Sequence, residues 1–81
     1  MNKYAFDPVV RKYIRAIKQR LYTYGWTNYS EHCISVLVSA CKERTGHEID
    51  VYFDYELQFD DWGNGYYAIL IEDEEIHVYE Y

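Results

Sequence analysis

Residues 48–59 read EIDVYFDYELQF, and the alternation in them decides the fold. Every odd position is apolar: Ile49, Val51, Phe53, Tyr55, Leu57 and Phe59. The even positions are Glu48, Asp50, Tyr52, Asp54, Glu56 and Gln58. Successive side chains of a strand point to opposite faces, so this period of two predicts a strand with one buried and one wet face. Residues 60–65, with Trp62, Gly63 and Asn64, carry turn chemistry. Residues 66–72 then read as a second strand and residues 75–81 as a third, joined by Asp73 and Glu74. That junction lacks the Gly or Asn that a two-residue hairpin prefers.

A register follows from facing parity. Pairing Ile71 with Ile76 and Asp60 with Tyr66 aligns Leu57, Ile69 and Val78 on one face, with Tyr55, Ile71 and Ile76 beside them. The opposite face then carries the rows Asp60–Tyr66–Tyr81, Gln58–Ala68–Tyr79, Glu56–Leu70–His77 and Asp54–Glu72–Glu75. Only Glu80 falls on the apolar side against the pattern.

The first half of the chain changes period. Asp7 followed by Pro8 is a strong helix start, a capping side chain and then a residue whose φ is already helical. Val10, Tyr13, Ile14, Ile17, Leu21 and Tyr24 recur at helical spacing, and Gly25 ends the run. A second helix begins at Thr27 or Asn28, with Glu31 placed for a capping box if Asn28 is the cap. Its apolar residues Cys33, Ile34, Val36, Leu37, Val38, Ala40 and Cys41 cover more than half the circumference, which predicts the more buried helix. Lys42 and Arg44 suit its last turn, and Gly46 follows as the C-terminal cap. The expected fold is a single small α+β domain over residues 1–81. Two helices pack on a three-stranded antiparallel meander, in the order α-α-β-β-β and in two layers.

Charge is divided as sharply as structure. All eight Lys and Arg residues precede residue 45, against Asp7, Glu31 and Glu43. Residues 45–81 contain eleven carboxylates and no base, within a formal net charge of −6. Such asymmetry suggests a charged partner. An aromatic share of 20%, with eleven tyrosines, argues against disorder. A chain of 81 residues buries a modest core, so dimerisation would help it. Cys33 and Cys41, eight residues apart on one helix, lie ~12 Å apart and are expected as unpaired core thiols in a reducing compartment. No signal-peptide core or membrane-length apolar run is seen, and a cytoplasmic protein is expected.

The predicted partner-binding residues are Asp50, Tyr52, Asp54, Glu56, Tyr66, Glu72, Glu75, His77, Tyr79 and Tyr81, on the outer sheet face. Carboxylates at alternate strand positions recur every ~6.6 Å, a sparse imitation of phosphates spaced at ~3.4 Å along a DNA strand. Like charges directly opposite one another destabilise a sheet, so a row such as Asp54–Glu72–Glu75 is a cost that solubility does not demand. Tyrosines among them add rigid amphipathic contact area. The competing reading is a solvated face that guards the sheet edges. On the first helix Arg11, Lys12, Arg15 and Lys18 form an alternative, nucleic-acid-binding stripe, although the acidic net charge opposes direct binding of nucleic acid. His32, Cys33, Cys41 and His47 lack zinc spacing, and no metal or cofactor is expected. No phosphate loop, nucleophile elbow or paired-acid motif points to an enzyme.

These features lead to the expectation of a small inhibitory binding protein that offers an acidic, tyrosine-bearing sheet to the basic cleft of a nucleic-acid-handling protein, a nuclease or defence effector being the type. In size and charge alone the chain is similar to phage-encoded anti-restriction and anti-CRISPR proteins and to nuclease immunity proteins. On that analogy it acts as a nucleic-acid mimic in the host cytosol. The alternatives are a homo-oligomeric assembly module, for instance a homodimer, and a small nucleic-acid-binding regulator working through the first helix.

Overall fold

The computed structural model describes residues 7–79, which form two helices followed by an antiparallel sheet of four strands, a mixed α+β arrangement. Residues 1–49 and 50–81 are two compact units, the first helical and the second the sheet. Tyr81 and Glu80, both named in the expected sheet rows, lie outside the described residues.

In the helical unit, α1 spans Pro8–Tyr24 and α2 spans Asn28–Thr45. Asp7 caps α1: its Oδ1 accepts from the Val9 amide at 2.8 Å and from that of Val10 at 3.5 Å. Gly25 closes the helix at φ 70°, its amide donating to the Leu21 carbonyl at 2.9 Å. Val10, Ile17 and Leu21 form the buried stripe of α1, while Tyr13 and Ile14 are half-buried and Tyr24 is exposed. Thr27 caps α2, and the reciprocal partner is Ser30 rather than Glu31. The Ser30 amide donates to Thr27 Oγ1 at 3.1 Å, and the Thr27 amide donates to Ser30 Oγ at 2.8 Å. A capping box needs an acceptor three residues on, and with Thr27 as the cap that position is Ser30. Gly46 ends α2 in the left-handed region, as its place after Lys42 and Arg44 predicts. The helices pack on each other, and the Arg44 guanidinium of α2 donates to the Tyr13 hydroxyl of α1 at 3.3 Å.

The expectation that α2 is the more buried helix is not met. Of its seven apolar residues only Ile34 and Cys41 are buried, and Val36 is 54% exposed. Seven apolar residues spread over more than half a cylinder cannot all face one neighbour. Cys33 and Cys41 are both free thiols, the first half-buried and the second buried.

In the sheet unit the long strand expected from residue 49 to residue 59 is broken in two, β1 (Val51–Phe53) and β2 (Gln58–Phe59). Both pair with β3 (Gly65–Ile71), whose other side carries β4 (Glu74–Tyr79). The rungs fix the reason. Phe53 stands opposite Ile69 and Gln58 opposite Tyr66, so four residues of the first segment face two of β3. This is a two-residue insertion, a β-bulge wider than the usual single residue. Asp54 makes it locally: its Oδ1 accepts from the Glu56 amide at 3.1 Å, an Asx turn that competes with ladder pairing.

The hairpin between β3 and β4 also differs from expectation. Its two turn residues are Glu72 and Asp73, at φ 50° and 69°, not Asp73 and Glu74. Two positive φ values in a two-residue loop match the right-handed twist of the flanking strands. Ile69 therefore pairs with Ile76, Ala68 with His77 and Tyr66 with Tyr79, two residues away from the register expected above. An offset of two keeps every side chain on its face. Ile69, Ile71, Ile76 and Val78 accordingly share one face and are buried.

Candidate partner-binding surface

The even-numbered side of β3 and its neighbours form the outer face. Its rungs are Tyr52–Leu70–Glu75, Ala68–His77 and Gln58–Tyr66–Tyr79. At its centre the Tyr66 and His77 rings stack at 4.1 Å with 26° between planes, and Tyr79 leans on Tyr66 at 5.6 Å. His77 Nε2 lies 2.9 Å from Glu75 Oε2. On the other flank the Tyr66 hydroxyl donates to Gln58 Oε1 at 3.4 Å, and Gln58 Nε2 donates to Asp54 Oδ2 at 3.4 Å. These contacts join Glu75, His77, Tyr66, Gln58 and Asp54 into one lateral chain across the sheet. Ala68, the small residue among these rings, is buried, whereas Tyr52 is 60% exposed.

Asp60 ties the face to the loop that follows β2. Its Oδ1 accepts from the amides of Asn64 at 2.8 Å and Trp62 at 2.9 Å, and its Oδ2 accepts from Asn64 Nδ2 at 3.3 Å. The Asn64 amide above all, with the Trp62 amide and the Tyr79 hydroxyl, stabilises the carboxylate and lowers its pKa. Burial first, and then the charge of Asp60, raise the pKa of Tyr79. Asp60 is thus a fixed anion holding a five-residue turn.

The expected acidic rows are not assembled. Asp54 sits half-buried in the bulge, and Glu72 stands at the hairpin with its Oε1 3.4 Å from the Asp50 amide, so Asp54, Glu72 and Glu75 do not share a rung. His77 lies beside Glu75 and opposite Ala68, not in a row with Leu70 and Glu56. Asp60 does not pair with Tyr66, because Gln58 takes the place opposite it. The two-residue shifts in both hairpins, with two further residues taken up by the bulge before β1, are the cause. Instead the carboxylates gather at two poles. Asp50, Glu72, Asp73, Glu74 and Glu75 surround the β3–β4 turn, and Asp54, Glu56, Asp60 and Asp61 occupy the bulge and the β2–β3 loop. The seven residues of β3 set the β2–β3 loop and the β3–β4 turn ~20 Å apart at ~3.3 Å per residue, while Asp54 lies between them, its amide donating to the Ala68 carbonyl at mid-strand.

One group escaped the sequence reading. Tyr55, Leu57 and Phe59, expected to be buried by parity, are exposed, at 71% for Tyr55 and 65% for Phe59, and Trp62 is 90% exposed. Tyr55 and Leu57 lie in the bulge, out of the ladder, while Phe59 keeps its parity opposite Gly65 but sits at the end of the sheet. Leu57 and Phe59 lie over Gly65, where an added Cβ would stand 3.3 Å from Leu57 Cδ1 and 3.6 Å from Phe59 Cε1. Asp54 was the available signal, since Asp is poor in strand interiors and good at starting a local turn.

On α1 the alternative basic stripe is present: Arg11, Lys12 and Arg15 are exposed and Lys18 is half-buried. Among the described residues no three His, Cys, Asp or Glu side chains gather as a metal site would require. Among them, too, no helix is long and apolar enough to cross a membrane. Comparison with protein-family models, with characterised proteins and with solved structures finds no match to this chain.

Proposed function

We propose that the protein is a small inhibitory binding module whose sheet unit occupies the basic cleft of a nucleic-acid-handling protein. The observation that carries this reading is the makeup of the outer face. Two carboxylate poles flank a stacked Tyr66–His77–Tyr79 centre, and no Lys or Arg occurs anywhere in residues 45–81. Fixed anions beside rigid aromatics favour fast, electrostatically steered docking onto Lys- and Arg-rich surfaces. Nucleic-acid mimicry then rests on the poles. Asp60 and Asp61 at one end and the turn carboxylates at the other stand ~20 Å apart, a span of about six phosphates of a DNA strand, with Asp54 between them, so they compete for a few points along a phosphate-binding track rather than for each contact on it. An anti-restriction or anti-CRISPR role is the specific form suggested by size and charge.

The test is displacement of labelled duplex DNA from a panel of restriction endonucleases and CRISPR effector complexes, followed by anisotropy. The native chain is expected to release DNA from at least one of them, with potency falling as salt rises. A variant carrying Asp50→Lys, Glu56→Lys and Glu75→Lys, folded by circular dichroism, is expected to release none. Full potency in that variant removes the acidic face from consideration, and a native chain inert across the panel removes the reading.

A further inference from the structure

The exposed aromatic tip of the sheet unit lies off the stacked face just described and is unused by it. Its loop is preorganised: besides the three bonds to the Asp60 carboxylate, the Gly63 amide donates to the Asp60 carbonyl and the Asp60 amide to the Asn64 carbonyl, both at 3.0 Å. Trp62 is therefore presented to solvent from a fixed turn rather than a loose one. A rigid aromatic loses little freedom on docking, and tryptophan is the residue most enriched among binding hot spots. Leu57 and Phe59 lie side by side over Gly65, with exposed Trp62 in the following turn and exposed Tyr55 in the adjoining bulge, and these side chains expose about 500 Å² of largely apolar surface in all.

Glu56 and Asp61, both exposed, rim this tip. Two tips meeting face to face would bring like charges together, which disfavours a symmetric contact. The complementary surface exists elsewhere on the same chain. On α1, Arg11, Arg15 and Tyr22 are exposed at spacings of four and seven residues, a stripe ~16 Å long about a third of a turn round from the buried Val10, Ile17 and Leu21. Guanidinium groups stack on indole and phenol rings and pair with carboxylates at the same time.

We infer that the tip of one copy docks on the α1 stripe of a second copy, Arg11 and Arg15 lying against Trp62 and Tyr55 and pairing with Glu56 and Asp61. The contact joins two different surfaces, so it runs head to tail and builds rings or filaments rather than a two-fold dimer.

Sedimentation velocity tests this at ~100 µM protein, high enough to register a weak interface, in buffers of about 0.02 M and about 0.5 M salt. The native chain is expected to form species larger than a dimer at low salt and to dissociate at high salt. Trp62→Ala, and separately the pair Arg11→Glu and Arg15→Glu, are expected to be monomeric in both buffers while keeping native circular dichroism. Mixed one to one, these two variants retain one good surface each and are expected to give a heterodimer that grows no further. A native chain that stays monomeric at low salt overturns the inference. So does association that survives Trp62→Ala, or a mixture that remains monomeric.

Discussion

The turn between β3 and β4 places two charged residues with Cβ atoms, Glu72 and Asp73, at φ 50° and 69°. For residues other than glycine this left-handed region costs about 1 kcal/mol or more each, somewhat less for Asp and Asn. Replacing the pair by Asn-Gly, which two-residue hairpins of this hand prefer, is expected to recover about 1–2 kcal/mol. The loss on the other side is small. Glu72 Oε1 accepts from the Asp50 amide at 3.4 Å, near the outer limit for such a bond, so its removal costs at most about 0.5 kcal/mol. The net gain corresponds to a rise in Tm of about 5–10 °C for a domain of this size. Thermal and urea denaturation of Glu72→Asn/Asp73→Gly measure it. Two single variants isolate the cause, because Asp73→Gly and Asp73→Ala remove the same charge but only glycine relieves the backbone. Asp73→Gly is expected to stabilise and Asp73→Ala to leave stability unchanged or lower it. Equal stabilisation by both would assign the gain to relief of crowding among Asp50, Glu72, Asp73, Glu74 and Glu75. Stabilisation by neither would refute the reasoning.

Ile69, fully buried opposite Ile76, is expected to cost about 2–5 kcal/mol when changed to Ala, read as a fall in the urea midpoint. Asp7→Ala removes the acceptor for the amides of Val9 and Val10 and is expected to cost about 1 kcal/mol, with fraying at the start of α1 visible in amide exchange. The folded-state pKa of Asp60 lies below its ordinary 3.8, so its stabilising effect is complete above that value and drains away as pH falls through the lowered pKa. Amide resonances of Trp62 and Asn64 followed by NMR on acidification are expected to titrate with a midpoint below pH 3.8; a midpoint above pH 3.8 would contradict this.

How much was legible in the sequence depended on the kind of signal. Both helices were readable to within a residue at their ends, because Asp7-Pro8, Gly25 and Gly46 act through local backbone chemistry that no distant contact overrides. Facing parity was readable for the same reason. Ile69, Ile71, Ile76 and Val78 share the buried side as expected, although the expected rungs lie two residues away on β4 and β2 and four away on β1. Rungs depend on turn geometry, and Glu72-Asp73 has neither the Asn nor the Gly that most strongly marks such a turn. The bulge was hidden by apolar residues whose alternation continues through it, while Asp54 bends the backbone beneath them. Several residues assigned to the outer sheet face do share it, but with neighbours other than those expected. Tyr66, His77 and Tyr79 come together in a stack, and the carboxylates collect at the ends of the sheet instead of lying in rows. The exposure of Tyr55, Leu57 and Phe59 is not legible, because it runs against the alternation from which burial is inferred, whereas the turn at Trp62 is where its residues predict it.

The interruption at residues 54–57 leaves β1 with three residues and β2 with two along that margin of the sheet. An extended segment from another molecule seeking to add there would find no straight run of amides and carbonyls longer than the three of β1. To go further it would have to carry the same pair of surplus residues at the same place. Few chains do, so the kink works as a lock against indiscriminate strand addition, and a variant that straightened it would be expected to become prone to fibril growth.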